Sequence, residues 1–261
     1  MKHAITLTSS MRCIAMAAAF LACAAPLTSA VAGPLDWVSG TRVVGSGKIV
    51  SQNRALAHFT GVSLNVPGDM VLRLGNTESI SIETDDNVLP LIESVIEGGV
   101  LKIRPVKRNT NLHTRTMKIV VVAKDIERLS LSGSGSIDSD ALKASKLQFD
   151  IGGSGSITVK GMTAQAVAVS LGGSGDLKSG PGKANSLSVS ISGSGDVDVG
   201  KVQATDASVS VSGSGEATVW ANAGLSVTIA GSGDVNYYGD PQISKSVAGS
   251  GDITRVGSAP Q

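Results

Sequence analysis

The chain has 261 residues, of which 32 are glycine, while charged residues make up 16% and aromatics 3%. A hydrophobic share of 41% is too high for a disordered chain, which needs low hydrophobicity and high net charge. A formal charge of +1 leaves no basic footprint for nucleic acid or anionic lipid, and two cysteines and three histidines leave few conventional catalytic groups.

The chain begins with a predicted export leader. Lys2 and Arg12 supply the positive region, Cys13 to Ala25 is an uncharged apolar run too short to span a bilayer, and small residues follow. Ala30-Val31-Ala32 fits a cleavage site with Gly33 as the first mature residue, and cleavage after Ala30 is the close competitor. Residues 1–32 are therefore read as signal peptide and 33–53 as a lead-in. Both cysteines, Cys13 and Cys23, fall in the leader, so the mature chain has no disulfide, redox motif or thiol nucleophile. It carries 20 basic against 21 acidic residues and no apolar run that would span a membrane.

From Arg54 to residue 128 the pattern is strand-rich but irregular. Val62–Val66, Val71–Leu74, Ser79–Glu83, Val100–Ile103 and Lys118–Val122 read as strands, separated by turn signals at Pro67-Gly68, Gly75-Asn76, Asp85-Asp86-Asn87 and Gly98-Gly99. Val88 to Ile96 has the spacing of a short helical turn, with Pro90 in its first turn. Arg104 to Arg115 is basic and polar and reads as a surface loop.

From residue 129 to 257 the chain repeats. Gly-Ser-Gly begins at Gly133, Gly153, Gly173, Gly193, Gly213, Gly231 and Gly249, at four spacings of 20 and then two of 18. An outlying copy is Gly45-Ser46-Gly47. Before each tripeptide comes an alternating apolar run, such as Leu147, Phe149, Ile151 or Val167, Val169, Leu171, and alternation resumes afterwards at Ile157 and Val159 or Val197 and Val199. Period two on both sides of a glycine corner reads as strand, corner, strand. One such unit cannot bury its apolar face alone, whereas identical units stacked at about 4.8 Å share a continuous core. The predicted fold is all-β, a right-handed parallel β-helix with coils of about 20 residues. Its glycine corners are structural, because the backbone there must turn and pass directly over the coil below. No Gly-Lys-Ser/Thr follows any copy, so the corners are not phosphate loops.

The segments Arg54–Leu64, Ile80–Asn87 and Gly99–Ile103, followed in that order by the Gly-Ser-Gly corners, resemble the head GIN domain family, bacterial envelope proteins described as autotransporter adhesins. The resemblance spans Arg54 to Val256. It implies an exported β-helix with an adhesion-like role and brings no catalytic residues. The sequence given stops at Gln261, directly after the last corner-bearing coil, without the long alternating strands of a membrane translocator. A periplasmic or secreted form is therefore expected.

Candidate sites lie on outward columns, since the inward ones are committed to packing. Asp176, Asp196, Glu216, Asp234 and Asp252 directly follow successive corners and form one acidic column. Stacked carboxylates either recruit a divalent cation or form a solvated edge bonded to corner amides. Trp220 and Tyr238 each lie five residues after the closing glycine of a corner and so share an outward column on adjacent coils. Two such rings either stack on a sugar or a partner's surface, or are covered by the C-terminal tail. Lys245 and Arg255 break the inward pattern and read as a charged cap. His58 and His113 show no metal-ligand spacing, and the corner serines have no histidine base in the repeat.

The sequence thus points to an exported, non-enzymatic binding or adhesin-like module without cofactor, whose partner is a glycan or an envelope or surface protein and not nucleic acid. The alternatives are a carbohydrate-active enzyme on the same scaffold and a purely structural periplasmic protein.

Overall fold

The alternating runs before and after each corner form strands that stack in parallel. The computed structural model describes residues 41–260, so the expected leader and residues 33–40 of the lead-in lie outside the described residues. The chain is a β-solenoid of about six turns. Leu142–Gly153, Met162–Gly173 and Gly182–Gly193 lie in register, with Phe149 opposite Val169 and Val169 opposite Val189. A second, shorter column stacks Ser136–Ser139 on Ser156–Val159 and on Asp176–Ser179. In the two coils that follow, both sides merge into the long strands Asp196–Gly213 and Glu216–Gly231. The inward aliphatics are sealed: Phe149, Ile157 and Val199 have no exposure, and Leu171, Val189 and Val209 nearly none.

The corners explain the glycines. The first glycine of each regular copy has positive φ, from 113° at Gly153 to 140° at Gly249, a region side chains rarely enter. Space is also lacking, because a Cβ on Gly153 would stand 2.6 Å from the Gly133 carbonyl oxygen. The closing glycine is constrained from below, where a Cβ on Gly155 would meet Leu131 Cδ2 at 2.7 Å.

The N-terminal part follows another rule. Gly61–Leu64 pairs in parallel with Arg128–Gly133 on one edge and with Val100–Pro105 on the other. Asp69–Leu74 likewise lies between Ser136–Ser139 and Met117–Ala123. The coil laid down first is therefore covered on both sides by later ones, since a strand has two edges and the chain uses both. The far side is closed by antiparallel strands: Ile92–Glu97 on Val100–Pro105, Ser79–Asp85 on Met117–Ala123, and Ile49–Ala55 on Ser79–Asp85. The expected helical turn shrinks to one 3-10 turn, Leu89–Leu91, with Pro90 inside it, and from Ile92 onward the segment joins the sheet edge. The expected Arg104–Arg115 loop contains the strand Thr110–His113, which pairs with Thr41–Val44 and buries Leu112.

The outlying Gly45-Ser46-Gly47 copy is not a coil corner. It is clasped by the Asp85-Asp86-Asn87 turn: the Gly47 amide donates to the buried Asp85 carboxylate at 2.6 Å, Ser46 Oγ to Asp86 at 2.6 Å, and the Ser46 amide to Asn87 Oδ1 at 2.9 Å. Thr114 Oγ1 donates to the second Asp85 oxygen, so this buried carboxylate has a donor on each oxygen.

Two adjacent glycines separate corner geometry from composition. Gly173→Ala places a side chain at a φ of 116° and against the Gly153 carbonyl, and it is expected to cost about 1–3 kcal/mol. A Cβ on Gly172 has its nearest contact at 3.9 Å, so Gly172→Ala should stay within about 0.5 kcal/mol of wild type. Chemical denaturation of the two variants measures the difference.

Candidate functional site

The change of period from 20 to 18 residues is the net of two register shifts in one coil. Between the strands Asp196–Gly213 and Glu216–Gly231, Asp198 lies opposite Thr218, but the next partners are Gln203 and Trp220. The lower coil spends Val199, Gly200, Lys201 and Val202 on this bend, and the upper coil only Val219. One residue is regained further on, between Ala204 opposite Ala221 and Asp206 opposite Gly224. The bend at Gly200-Lys201 thus projects as a ledge below the shortened coils, and Trp220 stands at the step.

Tyr238 is opposite Trp220 on the next coil, so the two rings share a column as the spacing predicts, and both are half-buried. The Tyr238 ring leans back across its neighbours, with Cε2 3.2 Å from where a Gly200 Cβ would stand. A Cβ there would also meet Thr218 Cγ2 at 2.8 Å, so only glycine at position 200 leaves room for this packing. Trp220 Cδ1 lies 3.4 Å from the Cβ position of Gly239.

Under Tyr238 is a hollow of about 710 Å³ walled by Asp198, Lys201, Thr218 and the segment Val256–Pro260. Asp198 Oδ1 accepts from the Gly200 amide at 3.2 Å. Exposed Lys201 makes no ion pair among the described residues. The tail is held beside Tyr238: Gly257 is its register partner, the Gly239 amide donates to the Gly257 carbonyl at 3.0 Å, and Arg255 Nε donates to the Gly239 carbonyl at 2.8 Å. The arrangement offers a flat aromatic face, a carboxylate acceptor and an ammonium donor on one rigid step. Asp198 and Lys201 escaped the sequence reading, although the shortened period marked the coil directly above theirs.

The acidic column is also in register, with Asp176 opposite Asp196, Asp196 opposite Glu216, and Glu216 opposite Asp234. Its carboxylates bond along the stack. Asp196 Oδ1 accepts the Glu216 amide at 3.2 Å, Asp234 Oδ1 accepts the Asp252 amide at 2.9 Å, and Glu216 Oε1 accepts Asn236 Nδ2 at 2.6 Å. Among the described residues no three acidic, histidine or cysteine groups converge in a way that would hold a metal ion. The histidines stand apart from both features. His58 Nδ1 is 2.6 Å from Glu78 Oε1, and His113 lies in the strand Thr110–His113. Partial burial works to raise the Glu78 carboxyl, but the hydrogen bond and charge of His58 prevail and hold it below the ordinary range.

The family-model comparison matches residues 58–241 to "Putative auto-transporter adhesin, head GIN domain". The chain belongs to this family. Three solved structures share the head GIN chain's fold over their whole length. A Bacteroides fragilis protein described as a "putative adhesin" is 23% identical, with 82% of this chain covered and a TM-score of 0.76. A Parabacteroides distasonis "putative lipid binding protein" is 26% identical, with 83% covered and a TM-score of 0.69. A Parabacteroides merdae "putative adhesin" is 20% identical, with 83% covered and a TM-score of 0.67. No curated protein matches the chain. Among the described residues no helix is long and apolar enough to cross a membrane.

Asp234 tests the amide-bonding role of the acidic column. Asp234→Ala removes the acceptor for the Asp252 amide and should cost about 0.5–1.5 kcal/mol, whereas Asp234→Asn keeps an acceptor oxygen and should cost less. Denaturant midpoints of the two variants check the order.

Proposed function

We propose that this head GIN protein is exported by the leader in residues 1–32 and acts, without catalysis, as a glycan-binding, adhesin-like module of the bacterial envelope or exterior. Family membership supports the adhesin-like class. The observation that carries the glycan reading is the ledge, where the shortened period sets Trp220 beside Tyr238 and Tyr238 walls one hollow with Asp198 and Lys201. Sugar rings stack on aromatic faces through their apolar C–H surface, and their hydroxyls bond to carboxylate and ammonium groups at the rim. A rigid coil supplies this geometry before the ligand arrives, which reduces the ordering cost of binding.

The seating of Gly257 and the following tail beside Tyr238 favours a second reading, in which the rings only anchor the C-terminal segment. Trp220→Ala/Tyr238→Ala separates the two. On a glycan array the wild type should bind a subset of glycans, and the double variant should lose about tenfold or more in affinity, equivalent to about 1.4 kcal/mol. Unchanged binding by the double variant removes the ledge as the site, and no glycan binding by wild type removes the reading. Release of reducing ends from a bound polysaccharide would instead establish an enzyme.

A further inference from the structure

The formal charge of +1 is the sum of segregated sets. The acidic column follows the corners, whereas the basic residues between 129 and 241 gather around the other bend, where each short strand passes into a long one. They are Lys143, Lys146, Lys160, Lys178, Lys183 and Lys201. Lys160 is tied to Asp140 at 2.8 Å, and the others are exposed and make no ion pair among the described residues. Two of these free lysines share a column with the rings of the ledge. Lys143 lies opposite Thr163, Thr163 opposite Lys183, Lys183 opposite Gln203, Gln203 opposite Trp220, and Trp220 opposite Tyr238.

This column is a band that runs along the solenoid axis and not along a strand. Successive coil steps of ~4.8 Å from Lys143 to Tyr238 give it a length of about 24 Å. A hollow stands at each end. One of about 520 Å³ is lined by Lys143, Thr163 and Gln165, and the other is the hollow under Tyr238 that Lys201 walls. The carboxylates nearest the band are engaged or lie to its side. Asp140 is paired with Lys160, Asp198 accepts the Gly200 amide, and Asp206 stands in the column of Lys146.

The order of groups along the band selects the ligand. The rings at one end take the apolar face of a sugar, and Gln203 and Thr163 offer partners for hydroxyls. Lys183 and Lys143, about 9.6 Å apart across two coil steps, place ammoniums on alternate rungs. An extended β-linked pyranose chain advances by close to one coil height per sugar, so alternate rungs meet acidic groups on alternate sugars. Ammonium and carboxylate then join in charge-assisted hydrogen bonds. Single-stranded nucleic acid also uses cations and rings, but it carries a charge on every nucleotide. The band instead sets uncharged rungs between its lysines and has Asp198 and Asp206 at its flanks. We infer that the column from Lys143 to Tyr238 binds one extended acidic polysaccharide, with the rings stacked on its sugars and Lys183 and Lys143 paired to its carboxylates. The inference rests on the ledge reading, names its ligand class and extends the site down the solenoid.

The test is fluorescence anisotropy of labelled hyaluronan, alginate and pectate oligosaccharides titrated with the full chain. Each is paired with its carboxyl-reduced counterpart, in which the acids have become alcohols. Wild type should bind at least one acidic probe about tenfold or more tighter than the reduced form, and added salt should weaken that binding. Lys143→Gln/Lys183→Gln keeps both exposed stems and should remove most of the preference, whereas Lys143→Arg/Lys183→Arg should retain it. Lys107→Gln/Lys118→Gln removes the same charge outside the band and should bind like wild type. Equal affinity for acidic and reduced probes overturns the inference and leaves the ledge standing, as does loss of binding in Trp220→Ala/Tyr238→Ala with none in the Gln pair at 143 and 183. Equal losses in the two Gln pairs overturn it in favour of unspecific charge attraction. Tighter binding of a labelled thymidine oligonucleotide overturns it in favour of single-stranded nucleic acid. No binding of any glycan, acidic or neutral, removes the ledge reading and the inference together.

Discussion

Everything in the regular half depends on one contact, the passage of backbone directly over backbone at each Gly-Ser-Gly corner. The serine amide of one coil donates to the first glycine carbonyl of the coil before it, at 3.0 Å from Ser154 to Gly133 and 2.8 Å from Ser174 to Gly153. That bond is reached only because the first glycine adopts positive φ, and because the closing glycine leaves room for the aliphatic that leans under it, as Ile151 does beneath Gly175. The corner therefore fixes register as well as direction. A slip of one residue would turn Val167, Val169 and Leu171 outward, so corner and core select the same alignment.

The legibility of the sequence follows from which forces were local. Period-two alternation and a recurrent corner are local signals, and they carry the coils, their inward residues and the columns of Asp176 and Trp220. The N-terminal strands were also visible one by one, but their order in space was not. That Gly61–Leu64 takes Val100–Pro105 on one edge and Arg128–Gly133 on the other is settled only after long loops close, and adjacent residues carry no record of that. The strand Thr110–His113 was hidden for a related reason. Its partner Thr41–Val44 is distant in the chain, and only Leu112 of its side chains is buried. At the ledge the signal was present as a spacing change, but its meaning required knowing on which side of the coil the missing residues fell.

A solenoid divides labour sharply between its inward and outward columns. Inward positions are shared between neighbours, so any change there is felt by two coils. Outward positions repeat only because the coils beneath them repeat, and they are free to differ from side to side. Here the short side carries Lys178, Asp198 and the acidic column, the shortened bend carries the two rings, and the long side carries uncharged hydroxyls. Three chemistries thus occupy one scaffold with no change in core design. A break in period is the cheapest way to create relief on such a surface, because removing part of one bend leaves the strands on both sides paired.

A stack of identical edges also has to stop, and the two ends stop differently. At the far N-terminal side the direction of pairing changes: Ile92–Glu97 and Ile49–Ala55 run antiparallel to their neighbours and present an edge that no corner-bearing coil matches. At the other side the strands Gln242–Gly249 and Ile253–Gly257 keep the parallel direction and pair on one edge only among the described residues. Direction offers no protection there, so side chains must. Lys245 stands opposite Val227, where every preceding coil has an apolar residue, and it is exposed, while Arg255 turns to the Gly239 carbonyl. Another coil laid on this edge would have to bury the Lys245 ammonium without a partner, a desolvation cost large enough to oppose continuation even though Ile243 and Val247 beside it are apolar and exposed. One charge in an inward column thus does at this end what reversed strands do at the other, and it leaves the outward columns intact up to the last coil.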